Sequence, residues 1–254
     1  MKIVRYQDGA NTHWGIVEGN VLRQMEGDPF GHFRPSAKTK RIEDVRLLSP
    51  CLPSKIVAVG LNYRDHAEEM KLALPSEPLL FLKPSTSVIG PDEPIVYPTS
   101  VDRVDYEAEL AVVMRKVAKA VSAEAAADTI LGYTCLNDVT ARNLQKKDGQ
   151  WTRSKGFDTF APMGPWIETE IDPSHLEISS YLNGTRQQHS NTTQLIFSPL
   201  QLVSFISHIM TLLPGDVIAT GTPSGIGPMA VGDRIDVVID GIGTLSNTIV
   251  ASGA

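Results

Sequence analysis

Residues 101–114 read VDRVDYEAELAVVM, and they are the most informative segment of the sequence. Apolar and polar residues alternate from position 104 to position 110 and apolar residues follow to position 114, which predicts a β-strand because successive side chains of a strand point to opposite faces. Glu107 and Glu109 then share one face, roughly 7 Å apart, and that face continues into apolar residues. Two like charges in such a setting repel each other and are poorly hydrated.

Two interpretations of this acidic pair are open from the spacing alone. A bound cation would compensate both charges, whereas an exposed edge strand would simply leave them in water. Asp138 is a third candidate, because it follows an apolar strand, although helix N-capping also favours aspartate there. Three acids without clustered histidine or cysteine favour a hard cation with oxygen ligands, Mg²⁺ or Mn²⁺, over Zn²⁺.

A second segment, residues 60–69, carries a histidine and a carboxylate one helical turn apart. His66 and Glu69 are three residues apart, so a helix places them on the same face. A carboxylate beside an imidazole orients the ring and suits it to act as a general base toward water. A solvated pair on an exposed helix is the alternative interpretation. The remaining histidines, His13 among them, have no comparable setting.

The composition is that of a globular protein with a negative charge. The chain has 254 residues, 42% of them hydrophobic and 20% charged, so it can form a full core and a disordered chain is excluded. A formal net charge of −6 argues against a nucleic-acid partner or an anionic membrane surface. The two cysteines lack a CxxC spacing and no segment is apolar enough for a membrane span, which predicts a cytoplasmic protein.

The chain is predicted to have two parts of unequal length. Residues 1–50 predict a small β-rich domain of short strands and tight turns, with a polar connector over residues 27–41. Pro50 and Pro53 interrupt any regular element, so the boundary is placed there and residues 51–254 form the larger domain.

The larger domain is predicted to be mainly β with some α. Strands outnumber helices and do not alternate with them, which argues against a Rossmann or TIM-type repeat. The predicted strands are 56–60, 79–82, 104–114, 133–136, 217–220, 234–239 and 244–250. The predicted helices are 65–71, 122–131, 139–147 and 198–212, the last beginning with a Ser-Pro start signal.

Six stretches, in the same order along the chain, resemble the fumarylacetoacetate hydrolase family. They fall within about residues 55–250 and are 60–66, 81–84, 105–110, 137–142, 151–158 and 221–227. The resemblance implies a mixed β-sandwich roll of the type of this family's C-terminal domain, mainly β with some α and assembled as a homodimer. The small β-rich N-terminal unit precedes it.

The same resemblance implies a role for nine residues in one pocket. These are the Mg²⁺ or Mn²⁺ ligands Glu107, Glu109 and Asp138, the catalytic residues His66, Glu69 and Lys155, and the substrate-binding residues Arg142, Gln145 and Thr222. His66 paired with Glu69 matches the position of the base that activates water, and Lys155 would stabilise an oxyanion or the substrate carboxylate. Without the resemblance, four of the nine would be interpreted as surface or turn residues: Arg142, Gln145, Lys155 and Thr222.

One departure from the family narrows the expected substrate. Longer members have a fourth metal-binding aspartate, and the aligned position here, seven residues before His66, is Val59. The chain therefore resembles the shorter branch with three carboxylates, which includes acylpyruvate hydrolases, oxaloacetate decarboxylases and 2-hydroxyhepta-2,4-diene-1,7-dioate isomerases.

That branch implies a Mg²⁺-dependent enzyme for small 2-oxo acids. The expected reaction is hydrolysis of a C–C bond in an acylpyruvate-type acid, through a metal-bound enolate. The alternatives at the same site are oxaloacetate decarboxylation, isomerisation of the diene dioate, and decarboxylation of 5-carboxymethyl-2-oxo-hex-3-ene-1,7-dioate. Outside enzymes, the alternative is a metal protein that binds a 2-oxo acid without turnover, against which the retained histidine base argues.

Overall fold

This computed structural model describes residues 1–253. They contain twenty β-strands and five α-helices, joined by turns and loops. The strands are β1 (Lys2–Asp8), β2 (Asn11–Glu18), β3 (Val21–Gly27), β4 (Phe33–Arg41), β5 (Arg46–Leu48), β6 (Ile56–Gly60), β7 (Leu79–Lys83), β8 (Val88–Ile89), β9 (Ile95–Tyr97), β10 (Val104–Tyr106), β11 (Ala108–Met114), β12 (Ile130–Asn137), β13 (Thr140–Ala141), β14 (Ala161–Glu168), β15 (Glu177–Leu182), β16 (Thr185–Asn191), β17 (Val217–Ala219), β18 (Gly227–Met229), β19 (Arg234–Ile239) and β20 (Gly243–Ala251). The helices are α1 (Arg64–Met70), α2 (Ala123–Ala126), α3 (Arg142–Asp148), α4 (Thr152–Lys155) and α5 (Pro199–Ile209). None of these helices is long and apolar enough to cross a membrane.

One large sheet runs through most of the chain. Its strand order is β4-β3-β2-β1-β14-β12-β11-β17-β6-β7, with β5 paired to β1 and β8 to β14. Strand β1 pairs antiparallel with β14, Lys2 opposite Glu168, so residues 1–50 continue the sheet of the larger part. The division into two domains at residue 50 stays a proposal.

A second sheet packs on the large one and makes the fold a sandwich. Its five strands run in the order β16-β15-β19-β20-β9. Apolar residues from both sheets share one core, in which Val112 and Cys135 of the large sheet meet Val237 and Leu245 of the second. Helix α5 closes this core. The predicted mainly β sandwich roll with some α is confirmed.

Residues 104–114 fold differently from the single strand that the alternation predicts. Strand β10 belongs to a three-stranded sheet with β13 and β18, whereas β11 belongs to the large sheet. Glu107 lies between them, and its backbone N–H donates to the Asn137 side-chain oxygen at 2.9 Å. The prediction of one continuous strand is therefore wrong, because alternation reports side-chain direction and does not reveal a change of pairing partner.

Three other predicted elements have different bounds. The polar connector 27–41 contains β4, since an edge strand with one side in solvent tolerates Pro35 and charged residues. The predicted helix 122–131 ends early because the backbone of Ile130 already pairs with Met114. The helix predicted over 139–147 begins only at Arg142, since β13 first pairs with β10.

The remaining predicted boundaries are close to those observed. Helix α1 covers Arg64–Met70 and α5 begins at Pro199, where Ser198 forms the N-cap and exchanges hydrogen bonds with Gln201 in a capping box. The C-terminal hairpin consists of β19 and β20, paired in register. Local signals, namely caps and turns, were sufficient here because no distant partner changes them.

Candidate active site

One cavity of about 570 Å³ contains every residue that the sequence assigned to the site. The nine predicted residues are among those that line it, and they come from α1, α3, α4, β11 and the segments that join strands: His66, Glu69, Glu107, Glu109, Asp138, Arg142, Gln145, Lys155 and Thr222. Apolar side chains complete the wall: Val59, Leu61, Met70, Leu72, Phe81, Trp151 and Ile226. Segments up to about 160 positions apart thus meet in one cavity, where polar groups converge against an apolar wall.

Three buried carboxylates form the floor of the polar side. Glu107 and Glu109 are 6% and 1% exposed, and Asp138 is 1% exposed, so the interpretation of an exposed acidic edge strand is wrong. One oxygen of each carboxylate lies within 4.8 Å of the other two. The backbone brings them together, because the Asp138 N–H donates to the Glu107 carbonyl at 2.9 Å.

Two buried lysines compensate part of this negative charge. Lys155 donates to Glu107 Oε2 at 2.8 Å and to Asp138 Oδ2 at 2.5 Å. Lys83 is fully buried and donates to Asp138 Oδ1 at 2.5 Å and to the Val139 carbonyl at 3.2 Å. Although burial alone lowers the pKa of Lys155, its carboxylate neighbours raise it above the ordinary value, so this lysine is charged at neutral pH.

Arg142 connects the carboxylates to Gln145 of α3, which also lines the cavity. Its guanidinium donates to Glu107 Oε1 at 2.5 Å, to Asp105 Oδ2 at 2.8 Å and to Gln145 Oε1 at 2.6 Å. Asp105 is fully buried and also accepts from Arg103 at 2.7 Å. Asp105 therefore fixes the plane of the Arg142 guanidinium, because a planar fork held at two edges cannot rotate.

The pKa values of the two glutamates are shifted in opposite directions, although the residues lie only two positions apart. Burial alone raises the pKa of Glu107, but Lys155 and Arg142 more than offset it and lower the pKa to about 2. Burial, followed by the charges of Asp138 and Glu107, raises the pKa of Glu109 well above its ordinary value. In the ion-free protein Glu107 is ionised, whereas Glu109 holds a proton far more strongly than a free glutamate.

The donor set fits a hard divalent cation at this cluster. All the grouped ligand atoms are carboxylate oxygens, the donors that Mg²⁺ and Mn²⁺ prefer. Among residues 1–253 the Glu109 carboxylate has no ion-pair partner, and its hydrogen bond comes from the Gly221 N–H at 2.8 Å. A cation there would supply the charge that Glu109 lacks, so the residues present fit the expected metal.

Gly221 shows how the backbone is shaped around Glu109. Its φ is +98°, in the region that disfavours residues with a side chain, and an added Cβ would lie 2.8 Å from Asn62 Cβ. The Asn62 amide in turn donates to the carbonyls of Thr220 and Phe197 at 2.8 and 3.0 Å. This close approach aims the Gly221 N–H at the carboxylate.

Helix α1 carries His66 and Glu69 on the face that lines the cavity. His66 Nδ1 and Glu69 Oε2 are 2.9 Å apart. The other oxygen of Glu69 accepts from the Gly225 N–H at 3.1 Å, so the carboxylate is held between α1 and the loop after β17. With its proton on Nδ1, facing Glu69, the imidazole keeps the Nε2 lone pair for a proton from elsewhere.

The hydrogen bonds of Thr222 indicate a mainly structural role for its hydroxyl. Its hydroxyl donates to the Ala108 carbonyl at 2.9 Å and accepts from Gln188 Nε2 at 2.8 Å. Gln188 is fully buried and also donates to the Pro223 carbonyl at 2.9 Å. Because the Thr222 proton is already donated, this hydroxyl can offer a substrate only its remaining lone pair.

Lys83 and Asp105 are two fully buried charged residues of the site to which sequence reasoning assigned no role. Both lie inside stretches that carry the family resemblance, Lys83 in 81–84 and Asp105 in 105–110. The available signal was a single charged residue in an otherwise apolar strand, which is uncommon unless the charge is paired. Their partners are 55 and 37 residues further along the chain, beyond the reach of any local pattern.

A β-sandwich roll with a buried carboxylate cluster in its main cavity is the architecture of an enzyme for small molecules. The chain belongs to the fumarylacetoacetate hydrolase family. Residues 55–250 match the family described as fumarylacetoacetate (FAA) hydrolase C-terminal, and residues 1–50 match one described as Rv2993c-like, N-terminal. The resemblance drawn from six stretches is thereby confirmed.

Three similar proteins show the range of this family. Protein Rv2993c of Mycobacterium tuberculosis is 49% identical over 263 residues, covering 100% of this chain and 99% of that protein. The crystal structure of 2-hydroxyhepta-2,4-diene-1,7-dioate isomerase from Mycobacterium marinum is 44% identical with a TM-score of 0.94, covering 100% of both chains. That of maleylpyruvate hydrolase from Sphingobium sp. SYK-6, in complex with manganese (II) ion and pyruvate, is 30% identical with a TM-score of 0.82, covering 99% of both. The family includes hydrolases and isomerases, and one relative binds manganese.

Proposed function

We propose that this protein is a Mg²⁺-dependent enzyme that hydrolyses a C–C bond of a 2-oxo acid of the acylpyruvate type. The observation that carries the proposal is one cavity that holds both the carboxylate cluster and the His66–Glu69 pair. A protein that only binds a 2-oxo acid needs ligands for the metal and the acid, but no oriented base. A hydrolase needs both.

The chain provides the groups that hold and polarise the substrate. A divalent cation bound by Glu107, Glu109 and Asp138 supplies a Lewis acid for the negative charge that develops on the 2-oxo oxygen. Arg142, fixed by its carboxylate partners, presents its remaining N–H groups to the substrate carboxylate. Lys155 is a buried, charged donor at the same wall, suited to an oxyanion.

His66 is the proposed base for the attacking water. Glu69 holds the ring through Nδ1, so Nε2 takes the proton of the water as its oxygen attacks the C4 carbonyl. The C3–C4 bond then breaks, its electron pair forms the C2–C3 double bond of the pyruvate enolate, and C3 takes up the proton that His66 returns, so the products are pyruvate and a carboxylic acid. General base catalysis of this kind contributes about 10²–10⁴-fold to the rate.

Isomerisation is the second candidate, because the Mycobacterium marinum relative is named as an isomerase. Oxaloacetate decarboxylation is a further candidate reaction for the same cavity. In both reactions charge develops on the 2-oxo oxygen, but no water attacks a carbonyl. The demand on His66 therefore differs between the reactions, and the product identifies which one occurs.

We also propose that the protein is a cytoplasmic homodimer. Cys51 and Cys135 are both free and buried, and burial raises the pKa of the Cys51 thiol to about 12, so neither needs an oxidising compartment. Light scattering during size-exclusion chromatography tests the assembly, and a mass near that of a single 27.6 kDa chain contradicts it.

A spectrophotometric substrate panel tests the proposed reaction. Acetylpyruvate, fumarylpyruvate, oxaloacetate and a 2-hydroxy-diene dioate are incubated in parallel with Mg²⁺ or with EDTA. Loss of enol absorbance with release of pyruvate and an acid, only with Mg²⁺, supports hydrolysis. Absorbance change without pyruvate identifies isomerisation, pyruvate with CO₂ from oxaloacetate identifies decarboxylation, and no turnover with metal bound contradicts all three.

A further inference from the structure

A second cavity, of about 420 Å³, lies on the N-terminal strands and shares no lining residue with the candidate active site. The residues that line it come from the neighbouring strands β1, β2, β3 and β4: Tyr6, Asp8, Asn11, His13, Gln24, Lys38, Thr39 and Lys40. Its volume lies within the range of small-molecule sites. We call it the N-terminal cavity.

Two backbone features open the N-terminal cavity. Gly15 pairs with Gln24, and a Cβ added to it would lie 3.0 Å from the Tyr6 ring, so the missing side chain leaves room for the ring. The register between β3 and β4 shifts between Arg23 and Met25, whose partners are Thr39 and Pro35. Residues 36–38 of β4 therefore stand opposite Gln24 alone. Such bulges are enriched beside functional sites.

The Tyr6 hydroxyl is a donor that the protein itself does not use. Tyr6 is 2% exposed, and among residues 1–253 no protein group hydrogen-bonds its hydroxyl. Burial and then the charge of Asp8 raise the pKa of this phenol, so it keeps its proton at neutral pH. A phenol whose ring is buried and whose hydroxyl opens into a cavity without a protein partner can donate to an acceptor from a ligand.

The neighbouring side chains add donors and one unpaired positive charge. Asp8 is already paired with Lys40 at 2.7 Å, whereas Lys38 has no ion-pair partner within the described chain. His13 lies against Tyr6 with ring centroids 5.6 Å apart, and Gln24 Nε2 lies 3.3 Å from its Nδ1. A hydrogen bond from Gln24 to Nδ1 leaves Nε2–H as a further donor. The lining therefore offers free hydrogen-bond donors and one unpaired positive charge, which together favour an anionic ligand.

We propose that the N-terminal cavity binds a small organic or inorganic anion through a carboxylate or phosphate group. The Tyr6 hydroxyl and Lys38 donate to its oxygens, and Asn11 and His13 complete the donor set. Asp8 does not oppose binding because Lys40 neutralises it. The proposal is independent of the reaction at the candidate active site, since the two cavities share no residue.

Calorimetric titration of the full-length protein, freed of metal ions and then of chelator by dialysis, tests this proposal, with citrate as the carboxylate probe and inorganic phosphate as the other. We expect at least one probe to bind, with Lys38→Ala weakening its affinity about 10-fold through loss of a charged contact. Tyr6→Phe keeps the ring and removes only the hydroxyl, and we expect it to weaken binding about 5-fold. The probe that binds more tightly identifies the anionic group.

Lys119→Ala is the matched control, because Lys119 is exposed, has no ion-pair partner in residues 1–253 and lines neither cavity. It should bind the probe like the unchanged protein. Equal affinities of the Lys38 and Lys119 variants would overturn the proposal. So would the absence of binding by both probes at about 10 mM, a concentration that detects even weak association.

Discussion

The Glu107 end and the Glu109 end of the carboxylate cluster differ in how the protein compensates their charge. Around Glu107, Lys155 and Arg142 form two ion pairs and lower its pKa to about 2. Around Glu109 there is a single backbone donor, Gly221, and burial together with the charges of Asp138 and Glu107 raises its pKa well above the ordinary value. The same side chain is thus held as an anion at one end and left uncompensated at the other.

This difference shows which part of the site is complete without a metal. The Glu107 end is an internal salt-bridge network that the fold supplies itself. The Glu109 end needs a cation from outside, because an uncompensated buried carboxylate is costly unless it keeps its proton. Substitutions at the two ends should therefore have different consequences.

The largest expected effect is the loss of turnover in Glu109→Gln. The amide keeps the size of the side chain and removes the charge that a divalent cation would neutralise, so at least about 10³-fold of kcat/KM should be lost. Activity on the best substrate of the panel is the measurement, at saturating Mg²⁺. Turnover close to that of the unchanged protein would contradict the cation site at this end.

The next expected effect is on the base rather than the metal. His66→Gln should lower the rate of hydrolysis about 10²–10⁴-fold because no group then accepts the proton of water. Its Mg²⁺ affinity should be unchanged, since His66 is not among the grouped carboxylates. His208→Gln, on the exposed side of α5, is the matched control and should retain full activity. Oxaloacetate decarboxylation that survives His66→Gln would show that this reaction does not use the base.

A third prediction concerns stability without metal. Glu107→Gln should lower the free energy of unfolding by about 3 kcal/mol, because it removes the anionic partner of two buried cations. This value is the low end for a broken buried pair, since Lys155 still forms its ion pair with Asp138 and Arg142 its ion pair with Asp105. Glu109→Gln should leave it unchanged or higher. Chemical denaturation in EDTA measures both variants. Equal destabilisation would remove the distinction between the two ends.

The smallest expected effect is a pH dependence of opposite sign at the two ends. Glu109 has a folded-state pKa above the unfolded value near 4.5, so its contribution to stability falls as pH rises above 4.5 toward the raised pKa. Glu107 has a lowered pKa, so its contribution is complete above pH 4.5 and falls only as pH drops toward about 2.

The difference in melting temperature between the unchanged protein and Glu109→Gln, measured in EDTA between about pH 5 and 8, isolates the Glu109 contribution, because Glu107 is ionised throughout this range and the other titrating groups are common to both. The Glu109→Gln variant should lose stability less steeply with rising pH than the unchanged protein. Saturating Mg²⁺ should reduce the slope of the unchanged protein in the same way. Identical slopes in EDTA would contradict the raised pKa.

The sequence predicted the acids of the site better than their partners. Glu107 and Glu109 stand out because alternation within a few residues places two charges on one face. Lys83 and Asp105 do not, because each is buried by a partner that folds back from a distant segment. Their burial depends on tertiary contacts, for which a single sequence carries no local signal.

The same limit explains the fold. The mainly β class, α1 and the C-terminal hairpin follow from turns, caps and periodicity, whereas the sandwich roll was predicted only through the family resemblance. The change of sheet at Glu107 does not, because the alternating pattern runs from β10 into the start of β11 without a break while the partners of the two strands lie in different parts of the chain. Arg142, Gln145 and Thr222 entered the predicted site only through the resemblance, since their spacing alone indicates no site.

Calorimetric titration of Mg²⁺ into the ion-free protein, in parallel with Glu109→Gln, tests the central claim most directly. The account predicts one ion per chain for the unchanged protein, with release of a proton from Glu109 that makes the heat depend on the buffer. It predicts no binding by the folded Glu109→Gln variant. Undiminished Mg²⁺ affinity in that variant would contradict the claim that Glu109 is the uncompensated carboxylate of a divalent-cation site.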